Sequence, residues 1–200
     1  MSSTSPPLIE LFRQKGAYLE GHFRLTSGLH SPAYLQCALV LQYPELAASL
    51  GQQLANELAR LVPLDHLDAV VSPALGGLII GHEVARALHS RHLFTERVDG
   101  KMALRRGFQL KPGERAAVVE DVITTGGSTL EVIELLSSQG IEVVCAGSII
   151  DRSGGRAKIN TPHVALASLN IATYSEQDCP LCKQGLPLLK PGSRPLAPAS

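Results

Sequence analysis

The stretch Val118–Thr129, reading VVEDVITTGGST, decides how this chain is read. Val118 and Val119 close an apolar, β-branched run of the kind a buried parallel strand needs. Glu120 and Asp121 follow, and a polar turn from Thr124 to Thr129 leads into Leu130–Gln139, where Leu130, Ile133 and Leu136 recur at helical spacing. The order is therefore strand, acidic pair, hydroxyl- and glycine-rich loop, helix.

Each part has a chemical use. Gly126 and Gly127 allow close backbone approach to a ligand, and the free N–H groups opening the helix favour an anion. A helix dipole alone supplies only about 0.3–1 kcal/mol, so the hydroxyls of Thr124, Thr125, Ser128 and Thr129 are needed to complete a phosphate cradle. The lysine of the nucleotide P-loop is missing, and GxGxxG is absent. Carboxylates beside a phosphate site repel the ligand unless they face another part of it. Glu120 and Asp121 suit the diol of a ribose, and their field favours positive charge developing on the sugar ring. The ligand these residues describe is a ribose carrying a phosphate.

At these positions the chain resembles the type I phosphoribosyltransferases, whose phosphoribosyl pyrophosphate (PRPP) motif is an apolar strand, two acidic residues and a T-x-G-[GT]-[ST] turn. The resemblance implies that Glu120 and Asp121 hold the ribose hydroxyls, and that the run from Val122 and Ile123 through Thr124, Thr125, Gly126, Gly127, Ser128 and Thr129 holds the 5′-phosphate. An isolated TTGGS would read as a plain glycine turn; the strand and both carboxylates argue against that here.

With 200 residues and 44% hydrophobic content, the chain can bury one substantial core, and no linker divides it. One domain spanning 1–200 is expected. Lys plus Arg and Asp plus Glu both number 18, so no basic excess points to nucleic acid or an anionic membrane. Glu10 and Arg13 interrupt the apolar residues Leu8, Ile9, Leu11 and Phe12, so a signal peptide is not expected and the protein reads as cytoplasmic. Four cysteines in a chain this long do not indicate a secreted disulfide framework.

Toward the N-terminus, Pro7–Lys15 reads as a short helix ended by Gly16, and the stretch through Phe23 and Leu25 suits a strand or hairpin. In LTSGLHSPAYLQC, Ser27, Gly28, Ser31 and Pro32 are expected to form a turn before extended structure resumes at Tyr34–Cys37. T-S-G-x-x-S-P-x-Y resembles the N-terminal signature of the orotate phosphoribosyltransferases, where the segment forms a hood over the base. That implies orotate contacts from Ser27 and Gly28. Many members carry lysine where this chain has Thr26.

Pro44 opens a helix with a stripe of Leu46, Leu50, Leu54 and Leu58, closing near Pro63. Asp68–Ser72 then reads as a buried strand emptying into PALGG, followed by the helical stretch Leu78–Leu88. Strand, glycine loop and helix thus occur a second time. The resemblance assigns pyrophosphate to this loop, Ser72, Pro73, Ala74, Leu75, Gly76 and Gly77, with an unusual peptide bond between Ala74 and Leu75. Some members have lysine where Gly76 stands, which leaves the cradle here more dependent on backbone donors.

His92–Thr95 reads as a further strand. The following ERVDGKMALRRGF carries Arg97, Lys101, Arg105 and Arg106 around Asp99-Gly100 and suggests a mobile cationic arm, or else a solvated charged hairpin. In the resembled family this arm closes on the neighbouring subunit's site of a homodimer. Only Arg97 and Lys101 match its basic motif, Val98 replaces a second basic residue, and Arg105 and Arg106 are candidate substitutes.

Ile141–Ile150 is a β-rich run ending at DRSGGR, which puts Arg152 at a strand's carboxyl end, where open α/β sheets bind ligands. Arginine there suits a bidentate carboxylate, and family members place a matching arginine on orotate. Thr124 is a further orotate contact on that reading. Val164–Ile171 is expected as a last strand and 191–200 as a loose tail. Cys179 and Cys182 have zinc-like spacing but form one pair only. Closing a tetrahedral site would require Cys37, Cys145 or histidines from afar, and a redox role is the other reading of the pair.

Alternating strands and helices imply a parallel α/β sheet flanked by helices, in the type I phosphoribosyltransferase fold, with a hood from residues 1–40 and about 160–190. The implied activity is transfer of the phosphoribosyl group of PRPP to orotate, giving orotidine 5′-phosphate and pyrophosphate, with magnesium held mostly by substrate oxygens. The alternatives are a purine or uracil phosphoribosyltransferase and a non-catalytic PRPP-sensing regulator.

Overall fold

A computed structural model describes residues 6–25 and 27–190; Thr26 and the expected loose tail 191–200 lie outside the described residues. From the N-terminus, helix α1 (Pro6–Gln14) leads into strands β1 (Tyr18–Arg24) and β2 (His30–Leu35), then helices α2 (Ala38–Leu41) and α3 (Pro44–Leu61). The middle alternates: β3 (Ala69–Pro73), α4 (Gly77–Ala87), β4 (Arg91–Val98), β5 (Lys101–Leu104), β6 (Arg115–Ile123), α5 (Gly127–Ser138), β7 (Glu142–Asp151) and β8 (His163–Ser168), with a short α6 (Pro180–Lys183) near the end. Six strands form one sheet in the order β5-β4-β3-β6-β7-β8, parallel throughout except for the antiparallel β4–β5 pair.

The central strands are buried on both faces, and their period of two sends alternate side chains to different helix layers. Val70, Ala117, Val119 and Ile149 join the core with Leu50, Leu54 and Leu58 of α3 and Ile80 and Val84 of α4. Val71, Val118 and Ala146 join Val132, Ile133 and Leu136 of α5 on the other face. The leucine stripe expected on α3 is the buried one, apart from partly buried Leu46. Each such leucine stabilises the fold by roughly 1.5–3 kcal/mol through removal of apolar surface from water.

Two local expectations need correction. The turn after β1 is confined to the neighbourhood of Ser27 and Gly28, whereas Ser31 and Pro32 lie inside β2. Pro32 is tolerated there because the register shifts between Glu20 and Phe23, leaving the proline between the Ala33 and Ser31 pairings, where no ladder N–H is demanded. Extended structure also stops at Leu35 rather than Cys37, which is helical and immediately precedes the unexpected α2. The charged segment after β4 is a hairpin on the sheet edge, turned by Asp99 (φ 50°) and Gly100 (φ 80°), a left-handed pair that suits a two-residue hairpin loop.

The β1–β2 hairpin stands outside the main sheet and meets the C-terminal segment through bridges pairing Phe23 with Leu189 and His30 with Tyr174. Among the described residues, no helix is long and apolar enough to cross a membrane.

Candidate active site

Both glycine loops open at the carboxyl ends of neighbouring strands β3 and β6. Strand alternation separates the acidic pair at the end of β6. Glu120 turns toward α5, where the Thr129 hydroxyl donates to its Oε2 at 2.5 Å. Asp121 turns toward the other loop, so closely that a Cβ added to Gly76 would lie 2.5 Å from its Oδ1. Glycine at 76 is thus what lets the first loop approach the carboxylate carried by the second strand.

Burial governs both acids. It pushes the Glu120 carboxyl up from its ordinary 4.5 to about 7, against the lowering effect of the Thr129 hydrogen bond and with a smaller push from Asp121. Asp121 is raised for the same first reason, with backbone hydrogen bonds opposing. A pair poised this way ionises readily once a ligand supplies hydroxyl donors or cations.

The loop after β6 turns at Gly126, whose φ of 82° is open to glycine at little cost. Helix α5 then begins at Gly127, so Ser128 and Thr129 belong to its first turn rather than to the loop. Thr124, Thr125 and Gly127 are exposed, whereas Ile123 and Thr129 are buried, and the Thr129 hydroxyl is committed to Glu120. In the loop after β3, the Ala74–Leu75 peptide is cis, the unusual bond that the resemblance implied. Leu75 and Gly76 are exposed there, while Ser72, Pro73 and Gly77 are buried. Ser72 Oγ lies 2.7 Å from His92 Nε2, and burial together with His82 lowers the His92 ring to about 4. A neutral imidazole is therefore hydrogen-bonded to Ser72 and holds the base of the loop.

A cavity of about 800 Å³ opens beside the second loop, lined by Ser27, Asp121, Val122, Thr124, Thr125 and Arg152 among others. The structure thus brings together residues from three separate stretches that the sequence singled out. Arg152 follows β7 and is anchored by its backbone N–H donating to Ile123 O at 2.8 Å. Its side chain reaches Ser31 Oγ only at 3.5 Å, and its buried Nε has no partner. Burial lowers its pKa, yet arginine stays charged, so a half-buried cation stands in the cavity wall. The cavity wall also carries Arg24, Arg156 and Lys190, against Asp121 as the lone acidic residue lining it among the described residues.

Residues 46–181 match the family described as the phosphoribosyl transferase domain. Over 187 residues the chain is 53% identical to the orotate phosphoribosyltransferase of Thermotoga petrophila, covering 94% of this chain and 98% of that one. The chain belongs to the orotate phosphoribosyltransferase family. The enzyme of that name from Desulforamulus reducens is 52% identical, with 94% and 96% of the two chains covered. Among solved structures, the orotate phosphoribosyltransferase of Aeropyrum pernix superposes with a TM-score of 0.64 at 28% identity, over 81% of this chain and 93% of that one. The fold is accordingly that of the type I phosphoribosyltransferases, and the orotate phosphoribosyltransferase family is one of enzymes.

The edge hairpin of this family member carries its cations differently from the cavity. Arg97 donates to both carboxylate oxygens of Glu131, at 2.8 and 3.1 Å, and to Gly100 O. Arg106 grips Glu96 in the same bidentate way. Lys101 and Arg105 are exposed and make no ion pair among the described residues. Within one chain none of these four lines the cavity. The loop of Ser27 and Gly28 does reach it, through Ser27.

Sequence reading missed Arg24, Tyr34, Arg156 and Lys190 as lining residues. Arg156 closes DRSGGR and Arg24 stands two residues before the TSG signature, so both lie at motifs already singled out. Lys190 carries no local signal, because only the pairing of Leu189 with Phe23 and Arg24 brings it there.

Proposed function

We propose that this orotate phosphoribosyltransferase binds PRPP across its two glycine loops and orotate in the adjoining cavity, yielding orotidine 5′-phosphate and pyrophosphate. The observation that carries the reading is the half-buried Arg152 in the wall of a cavity that also contains Asp121, Thr124 and Thr125. In this arrangement the 124–129 turn takes the 5′-phosphate, Glu120 and Asp121 take the ribose hydroxyls, and residues 72–77 take pyrophosphate. Arg152, with Thr124, Ser27 and Gly28, orients the carboxylated base, and Arg24, Arg156 and Lys190 add positive potential for two anionic substrates.

The chemical task is to align the base nitrogen with the sugar carbon and to stabilise positive charge on the ring as the bond to pyrophosphate breaks. Asp121, close to both loops, is placed at that carbon in this reading. Glu120 is kept oriented by Thr129. The hard carboxylate oxygens of the pair suit magnesium, which commonly keeps substrate phosphates and waters as ligands. When bound, the ion supplies charge neutralisation on the departing diphosphate; Glu120 and Asp121 are the residues of this chain that would approach it through the ribose.

In the same proposal, residues 1–40 and about 160–190 form a hood on a single domain, and the protein is cytoplasmic, binding neither nucleic acid nor membrane. The 96–107 hairpin serves the neighbouring site of a homodimer through Lys101 and Arg97, with Arg105 and Arg106 in reserve. Exposed ion pairs such as Arg97–Glu131 are weak, so the arginine is free to exchange partners. Mixing Lys101→Ala and Asp121→Asn chains should restore about a quarter of wild-type turnover, since half the dimers are mixed and each has one intact site of two. Absence of recovery despite confirmed subunit exchange would refute shared sites.

The decisive assay follows orotate consumption and pyrophosphate release with PRPP and magnesium, with adenine, hypoxanthine and uracil in parallel. Turnover confined to orotate supports the proposal. Turnover of another base alone, or PRPP binding without turnover, overturns it.

A further inference from the structure

Away from the cleft, four side chains from three separate parts of the chain converge on one point. They are His22 on β1, His30 on β2, Cys179 at the start of α6 and Cys182 within it. One ligand-capable atom from each lies within 4.8 Å of all the others. His22 Nε2 is 3.0 Å from His30 Nδ1, 3.5 Å from Cys179 Sγ and 3.6 Å from Cys182 Sγ, and Cys182 Sγ is 3.2 Å from His30 Nδ1. A tetrahedral zinc ion with bonds of about 2.0–2.1 Å to nitrogen and 2.3 Å to sulfur sets ligand atoms roughly 3.3–3.8 Å apart, close to these separations. Both histidines and Cys179 are buried, and Cys182 is partly so.

The surroundings prepare the histidine for a metal. His22 Nδ1 lies 2.9 Å from Leu186 O, and a carbonyl can only accept, so Nδ1 carries the proton and Nε2 points its lone pair into the cluster. A hydrogen bond from His30 to His22 would account for one short contact. It would leave two thiols crowded against the same nitrogens with no strong acceptor of their own.

We propose that His22, His30, Cys179 and Cys182 form a closed, structural zinc site that fastens the C-terminal segment to the β1–β2 hairpin. Two sulfur and two nitrogen ligands in tetrahedral array select zinc over magnesium, which takes oxygen. All four positions are filled by protein, so the ion has no open site for substrate. Its effect is mechanical. His30 adjoins Ser31, which meets Arg152, and the hairpin and C-terminal segment supply Arg24, Leu29 and Lys190 to the cavity wall. Binding at this site fixes that wall without touching the reacting atoms.

Metal analysis of the full chain, purified without chelators and dialysed against magnesium, should give one zinc per chain. Cys182→Ser and His22→Ala should each weaken zinc binding by more than the roughly 10–100-fold that loss of an outer-shell partner costs. For a variant that fails to fold, the wild type suffices. Stripped with a chelator and titrated with cobalt(II), it should show the thiolate charge-transfer and tetrahedral ligand-field bands at one equivalent, and zinc should displace them. Stripping should also speed proteolysis between residues 172 and 190. Wild-type protein that holds no zinc and gives no cobalt spectrum overturns the proposal, as does a Cys179–Cys182 disulfide in freshly purified protein. Zinc retained by both variants overturns the assignment of these ligands.

Discussion

The loops after β3 and β6 share one plan, strand to glycine loop to helix, yet they are built from different chemistry. The first contains no hydroxyl on its exposed part: Leu75 and Gly76 face solvent, the peptide before Leu75 is cis, and the polar pair Ser72–His92 is turned inward as support. The second exposes Thr124 and Thr125 and follows two carboxylates. Backbone donors suit one anion bound without side chains, whereas hydroxyls and acids together suit a phosphate attached to a sugar. The loops meet where Asp121 lies against Gly76, so the difference between them is also where they are coupled.

That coupling sets the largest expected effect. Asp121→Asn preserves volume and removes charge, and should lower kcat by about 10²–10³-fold, the usual scale for deleting one transition-state electrostatic contact. Unfolding measured alongside should be little changed. Turnover within a few-fold of wild type would detach Asp121 from the reacting sugar.

The two loops should then respond unequally to the same small change. In Gly76→Ala the new methyl would meet the Asp121 carboxylate at 2.5 Å, and one must move. A shift near 1 Å costs about 10²-fold in rate. In Gly127→Ala the nearest protein atom is Thr125 Oγ1 at 3.5 Å, an ordinary contact, so Asp121 keeps its place and the loss of kcat/KM should be well below that of Gly76→Ala. Equal losses would mean that the loops are not distinguished by their approach to Asp121.

A smaller effect concerns pH. Because burial raises Glu120 to about 7, kcat/KM for PRPP should fall as pH drops below about 7, where its carboxylate is lost. Stability runs the other way. A carboxyl raised in the folded state stabilises most below its unfolded value near 4.5, and that contribution is lost as pH rises through about 7. Thr129→Val removes the hydrogen bond that opposes the rise, and should move the activity profile further toward alkaline pH. An unchanged profile would assign the ionisation to another group.

The parts legible in the sequence were those whose signal is local. Val118–Thr129 carries its strand, acids and loop in one run, and β6, the loop and α5 follow it within a few residues. The helix begins at Gly127 rather than beyond the polar turn, because Ser128 and Thr129 are acceptable in a first helical turn and Thr129 gains a bond to Glu120 there. Ser31 and Pro32 look like turn residues, yet a shifted register in a two-stranded hairpin accommodates them. Arg24, Lys190 and the partners of Cys179 could not be read locally. Each is brought to its place by pairing between the hairpin and a segment some 150 residues away, as His22 with Leu186 is at a separation of 164. Spacing encodes one helix or strand; it does not encode which distant strand lies against it.

In the proposed division of labour the loops hold PRPP and the half-buried guanidinium after β7 holds the base. Calorimetry of Arg152→Ala with each ligand tests it most directly. Loss of a charge-assisted hydrogen bond is worth about 1.5–3 kcal/mol, so orotate should bind roughly 10- to 150-fold more weakly while PRPP binding changes by no more than about twofold. Equal weakening of both ligands would contradict the division and reduce Arg152 to a support for the cleft.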